Sequence, residues 1–253
     1  MCSSPPKGIP WRIAPVPGTT TSGRTELSAA HDTVFLFDVD NTLLDNDAII
    51  GDLRSHLIET FGAPSAERYW EGFEALRDEL GYADYLGALQ RYRSVAHNDP
   101  RLLAMSCFLI DYPFADRLLP GALEVLKHVG QWGPTVILSD GDVVFQPRKI
   151  QRAGLWDAVG GRVLIYIHKE QMLADLEQRY PARRYVMVDD KLRILTAMKT
   201  IQRDRLTTIF VRQGHYAHDA AVVNTLPKAD KTIERIAELK QLDFAALTAL
   251  PGA

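Results

Sequence analysis

The sequence predicts an α/β fold, a parallel sheet with helices on both faces, interrupted once by a helical insert. Three observations carry this. From Thr33 onwards, short apolar runs rich in β-formers alternate with helix-like stretches, the pattern of repeated βαβ units. The first run, VFLF, ends in acids, as expected of a strand buried on both faces. Between Asp45 and Leu118 there is no convincing strand, only amphipathic helical patterns punctuated by FGAPS, ELGYAD and HNDP, so the first crossover carries the insert.

Taken in order, Met1 to Ala30 holds 16 Gly, Pro, Ser and Thr residues in 30, with five of the 14 prolines and no sustained periodicity. Residues 1–30 therefore read as a flexible tail. VFLF opens the core as its first strand. The insert, residues 47–115, carries an aromatic stripe in which Tyr69, Trp70 and Phe73 fall with Leu76 and Leu80 at helical spacing. Core packing explains that stripe better than a substrate-facing wall. The core, residues 31–46 and 116–253, resumes with a helix over GALEVLKHVG and a strand from Thr135 to Leu138. Then come helix PRKIQRAGL, strand Val163 to Ile167, helix KEQMLADLEQRY and strand Tyr185 to Val188. Helix LRILTAMKTI, strand Thr207 to Val211 and a helix within DKTIERIAELKQL complete the series.

Composition narrows the function. A chain of 253 residues with 46% apolar content builds a self-sufficient core without disulfides or a zinc cage. Lys plus Arg total 29 against 32 acids, a net charge of -3 with no dense run of either sign, which argues against nucleic acid as partner. The longest apolar runs, such as VLIYI, fall far short of the roughly 18 residues that span a bilayer, so no membrane partner is expected. Cys2 and Cys107 lie far apart, and Cys107, within LLAMSCFLI, reads as core packing. With no signal-peptide apolar region at the N-terminus, a cytoplasmic location is expected. Oligomeric state has no signature.

Chemistry is sought where strands end, because neighbouring carboxyl ends of an open parallel sheet form its ligand crevice. In FDVDNTLL, Asp38 and Asp40 stand two apart with Thr42 following; if the strand continues through them, both carboxylates face one side. Two close carboxylates repel unless they share a cation or differ in protonation. TVILSDG places the Ser139 hydroxyl after a strand, with Asp140 and Gly141 shaping the turn. Lys169 opens a helix after VLIYIH, where an inward lysine neutralises phosphate or holds a carboxylate ionised. YVMVDDK ends another strand in Asp189 and Asp190, hard oxygen donors of the kind magnesium takes. His215 and His218 in GHYAHD read as a loop near the crevice mouth, QRYPARRY as a solvated face before a strand, and His168 has no role assigned.

The ordered series FDVDNT, LSDG, Lys169 and VDD resembles the four motifs of the haloacid dehalogenase-like superfamily of phosphotransferases, across nearly all of the chain from Thr33. The resemblance implies a Rossmann-like core, the insert as a small α-helical cap, and an active site between them. It implies Asp38 as nucleophile and Asp40 as general acid and base. Thr42, Ser139 and Lys169 correspond to phosphate-binding positions, and Mg2+ is expected on Asp38, Asp189, Asp190 and the backbone carbonyl of Asp40. The activity implied is a magnesium-dependent phosphatase cleaving a small phosphate monoester through an aspartyl-phosphate. Phosphomutase, haloacid dehalogenase and a non-catalytic phospho-ligand-binding protein are the alternatives. Two departures stand out: Asn41 where many relatives place Gly, and Lys191 with Arg193 where a further acid often follows the fourth motif.

Overall fold

The structure is a computed structural model that describes residues 31–94 and 96–248. The expected tail, residues 1–30, lies outside the described residues. The first strand, β1 (His31–Phe37), is followed by four helices, α1 (Asn46–Phe61), α2 (Ala63–Leu80), α3 (Tyr85–Tyr92) and α4 (Pro100–Asp111). α5 (Ala122–Val129) leads to β2 (Thr135–Asp140), and α6 (Phe145–Arg152) and α7 (Leu155–Ala158) lead to β3 (Val163–Tyr166). A 3-10 turn at Lys169–Gln171 precedes α8 (Leu173–Arg179), β4 (Ala182–Asp189), α9 (Leu192–Gln202) and β5 (Leu206–Val211). Two single-turn helices, α10 (Gly214–Ala217) and α11 (Ala220–Val223), precede β6 (Lys231–Ile233), a 3-10 turn at Ile236–Gln241 and α12 (Phe244–Thr248).

The six strands form one parallel sheet in the order β3-β2-β1-β4-β5-β6. β1 lies inside, pairing Phe35–Phe37 with Thr135–Ile137 on one side and His31–Phe37 with Ala182–Val188 on the other. Its alternate residues enter two separate apolar layers, as the period of two requires. Phe35 and Phe37 pack with Val186, Val188 and residues of α1 to α7, whereas Val34 and Leu36 pack with Met187 and residues of α8 and α9. Helices thus cover both faces. The α2 stripe is buried at Tyr69, Trp70, Phe73 and Leu76, and the insert's Tyr85 meets the core's Phe145 with ring centroids 5.2 Å apart.

Two expectations need correction. The helix expected within DKTIERIAELKQL is instead β6 and a 3-10 turn. The open edge of β5 takes Lys231–Ile233 as a sixth strand, and sheet pairing overrides the local helical pattern. The ARRY of QRYPARRY lies inside β4, where Arg183 stays exposed while Ala182 and Tyr185 are buried. Cys107, on α4, is half-buried.

Candidate active site

The chain passes from β1 to β2 on one side, and β4 lies on the other, so the order reverses beside β1 and a crevice opens at its carboxyl end. Asp38 stands at this point, its amide N–H donating to the Val188 carbonyl at 3.0 Å. β1 ends at Phe37, so a loop, and not the strand's pleat, places Asp38 and Asp40. The amides of Thr42, Leu43 and Leu44 all point at the Val39 carbonyl, which folds the loop tightly. Asn41 takes a left-handed backbone, φ 59°, a conformation that Gly and Asn tolerate best. Its Oδ1 accepts the amides of Asn46 and Asp47 at 3.0 and 3.2 Å, satisfying donors at the start of α1. Asparagine at the departing position therefore supplies both the backbone shape and a helix cap.

Three motif segments converge below this loop. Carboxylate oxygens of Asp38, Asp189 and Asp190 lie within 4.8 Å of one another, and all three residues are buried. Lys169, with a side chain 1% exposed, donates from Nζ to Asp38 Oδ1 at 2.5 Å and pairs with Asp189 Oδ2 at 2.7 Å. The Lys169 amide donates to Asp140 Oδ1 at 2.7 Å, so the carboxylate that ends β2 sets where the lysine leaves the β3 loop. The Thr42 hydroxyl donates to Asp38 Oδ2 at 3.4 Å and accepts the Asp190 amide at 3.1 Å, bracing the first motif against the fourth.

The electrostatics follow from packing like charges out of water. Burial pushes the Asp189 carboxyl up to about 6, against the pull of Lys169, and pushes Asp190 well above the usual carboxylate range. Burial also opposes charge on Lys169, but Asp189, Asp38 and Asp140 more than reverse this and raise it above an ordinary lysine. Lys191 behaves alike: burial opposes its charge, and Asp38, Asp190 and Asp189 outweigh it. Where a further acid was a family expectation, this chain sets an ammonium facing the same cluster. Neither carboxylate oxygen of Asp190 has a hydrogen-bond partner among the described residues. Close hard oxygens, two of them unsatisfied, fit a divalent cation.

Asp40 does not join that cluster; its Oδ1 accepts from Lys149 Nζ at 2.7 Å. Lys149 was not singled out in the sequence, nor was Gln146, yet both lie on the buried face of α6 with Phe145 and Ile150. Gln146 Nε2 donates to Ser139 Oγ at 2.9 Å, and Ser139 is itself buried. One signal was present: in FQPRKIQR the two polar residues share the helix face of the two large apolar ones.

A cavity of about 390 Å³ lies between the loop and the insert, lined among others by Asp40, Ile50, Arg54, Trp70, Phe73 and Tyr85. The aromatic stripe thus packs the insert and also walls the cavity. His215 lines the cavity too, with its amide 2.8 Å and its Nδ1 2.6 Å from the Asp47 carboxylate, and joins no metal-binding cluster among the described residues. No described helix is long and apolar enough to cross a membrane.

Comparison with known proteins fits this geometry. The family model of haloacid dehalogenase-like hydrolases matches residues 33–202. A solved haloacid dehalogenase-like hydrolase from Burkholderia xenovorans LB400 is 67% identical, covering 84% of this chain and 99% of that one with a TM-score of 0.80. A haloacid dehalogenase-like family hydrolase from Xanthomonas campestris is 14% identical, covering 85% and 91% of the two chains, with a TM-score of 0.60. L-2-haloacid dehalogenase from Xanthobacter autotrophicus is 15% identical, covering 83% and 97%, with a TM-score of 0.54. Comparison with curated proteins gave no match. The two distant structures share the fold alone, but a family match of this extent and a 67% identity are specific, and this chain belongs to the haloacid dehalogenase-like hydrolases, built on their Rossmann-like core.

Proposed function

We propose that this hydrolase is a magnesium-dependent phosphatase acting on a small phosphate monoester. The observation that carries the reading is the buried cluster of Asp38, Asp189 and Asp190, whose crowded carboxylates and unpartnered Asp190 oxygens call for a hard divalent cation. Asp38, Asp189, Asp190 and the Asp40 backbone carbonyl would hold the ion, which supplies charge neutralisation to the phosphoryl oxygens when bound. Lys169 pairs with Asp38 and aims it, and with Ser139 offers donors to the phosphoryl group. A carboxylate oxygen of Asp38 attacks phosphorus, and the bond to the leaving oxygen breaks as Asp40 gives that oxygen a proton. Asp40 then takes a proton from the water that attacks the phosphorus of the aspartyl-phosphate, releasing phosphate and restoring Asp38. The insert acts as a cap over the cavity, Trp70 and Phe73 facing the part of the substrate remote from phosphorus.

Asp40 also separates this reading from dehalogenation. An alkoxide is a strong base and needs a proton to leave, whereas halide leaves unaided, so a proton donor beside the nucleophile has work only with the ester. The test is phosphate release over sugar phosphates, nucleotides and phospho-acids with magnesium or with chelator, and halide release from 2-haloacids alongside. Magnesium-dependent phosphate release is expected. Halide release with no ester hydrolysis, or full activity in chelator, would overturn the reading.

A further inference from the structure

We infer that Lys149 is a positioning residue that holds the Asp40 carboxylate at the crevice and couples its place to the insert. The inference rests on Asp40 acting as the proton donor and acceptor proposed above. Lys149 is 1% exposed, and an ammonium so buried is retained at a cost that an alkyl side chain of similar length would avoid. Its acceptors explain where it points. Nζ lies 2.7 Å from Asp40 Oδ1 and 3.1 Å from Asn46 Oδ1, with the face of Phe145 5.3 Å from it. Asp40 keeps 25% of its side chain open and lines the cavity, so Lys149 grips it from behind and leaves the front free for a leaving group.

Asn46 makes the hold more than a pair. It is the first residue of α1, its amide is capped by Asn41 Oδ1, and its side chain acts on the Tyr85 hydroxyl, opposing the upward push that burial gives that phenol's pKa. Tyr85 belongs to α3 of the insert, stacks on Phe73 at 4.7 Å and lines the same cavity. A chain of polar contacts therefore runs from the core helix α6 through Lys149 and Asn46 to the insert wall, with Asp40 branching from Lys149. Lys169 does not do this work, since it grips Asp38 and Asp189 on the other side of the loop.

The test uses the full chain with magnesium and compares Lys149→Met with the wild type on an alkyl phosphate and on p-nitrophenyl phosphate. A misplaced Asp40 fails the basic leaving group most, so kcat on the alkyl ester should fall about 10- to 100-fold while KM stays within about twofold. Release of the first p-nitrophenolate equivalent should fall far less. In an Asp40→Asn background the same substitution should have little further effect, because both changes act through one group. Asn46→Ala, a milder cut in the same chain, should move the alkyl-to-aryl ratio in the same direction and keeps the test open if Lys149→Met does not fold. Equal losses on both esters, or a full additional loss in the Asp40→Asn background, would overturn the inference while leaving the phosphatase reading intact. Should the wild type hydrolyse no phosphate ester, that reading fails, and crystal structures of wild type and Lys149→Met still decide the positioning role. A displaced Asp40 carboxylate supports it and an unmoved one overturns it.

Discussion

Removing the Lys169 ammonium, as in Lys169→Met, is the sharpest perturbation of the cluster because methionine keeps the length and apolar stem. The buried Lys169 side chain is the direct cation on Asp38 at 2.5 Å and on Asp189 at 2.7 Å, with the Asp190 carboxylate alongside. Loss of one partner of a buried pair leaves uncompensated charge and costs roughly 3–5 kcal/mol. For a chain of this size that is a fall in Tm of roughly 6–20 °C, at about 2–4 °C per kcal/mol. The deficit should depend on pH. Asp189 already has a carboxyl pushed up to about 6 by burial, and without Lys169 it rises further, so near pH 5 protons replace the missing charge and the loss shrinks, while near pH 8 it is complete. Magnesium, added at pH 8, should recover part of the Tm by occupying the same negative pocket. Turnover should not recover, because the donor proposed for the phosphoryl oxygens is gone, a loss of about 10²–10³-fold. Thermal unfolding at both pH values, with and without magnesium, and phosphate release give the readings. A variant as stable as wild type at pH 8, with activity within about twofold, would refute the reasoning.

Asp38→Asn should abolish turnover and acid-stable trapping of a phosphoenzyme in a chain that still folds, because an amide is a poor nucleophile and keeps the side chain's shape; near-normal turnover sinks the assignment of Asp38. Apparent magnesium affinity, measured by titration calorimetry, should weaken as pH falls through about 6, where protons compete for Asp189, by about tenfold per pH unit for each proton displaced; a flat profile from pH 5 to 8 counts against Asp189 as a ligand. Gly214→Ala should cost about 1–3 kcal/mol, since φ is +68° there and an added Cβ would lie 2.4 Å from the Asn41 side chain. Its activity should fall with its stability because Asn41 shapes the loop that carries Asp38 and Asp40, and an unchanged Tm would show the contact to be slack.

What the sequence made legible has a physical boundary. Strands buried on both faces read as bare apolar runs, and β1, β2, β4 and β5 were visible for that reason; β3, at the sheet edge and only half-buried, was visible because its residues are all apolar or aromatic, whereas β6 has three residues and one buried side chain and exists only because β5 offers an edge. The acids were visible because a strand end places them in a predictable crevice: Asp38, Asp189 and Asp190 meet, and Lys169 stands between the first two. Lys149 and Gln146 were not, because a lysine or glutamine on an amphipathic helix normally faces water. The face that α6 buries is set by its docking against β2, the first-motif loop and α4, which no local window contains. The same holds for Asn41, which reads as a departure from glycine until its φ and its two amide partners are known. Residues that carry charge to the substrate are thus marked by their position on the sheet, and residues that hold those groups in place are marked only by burial. On a helix that follows a motif strand, the polar side chains that share a face with the large apolar residues are therefore the ones placed to hold such groups. In this chain they are Gln146 and Lys149, the partners of Ser139 and Asp40.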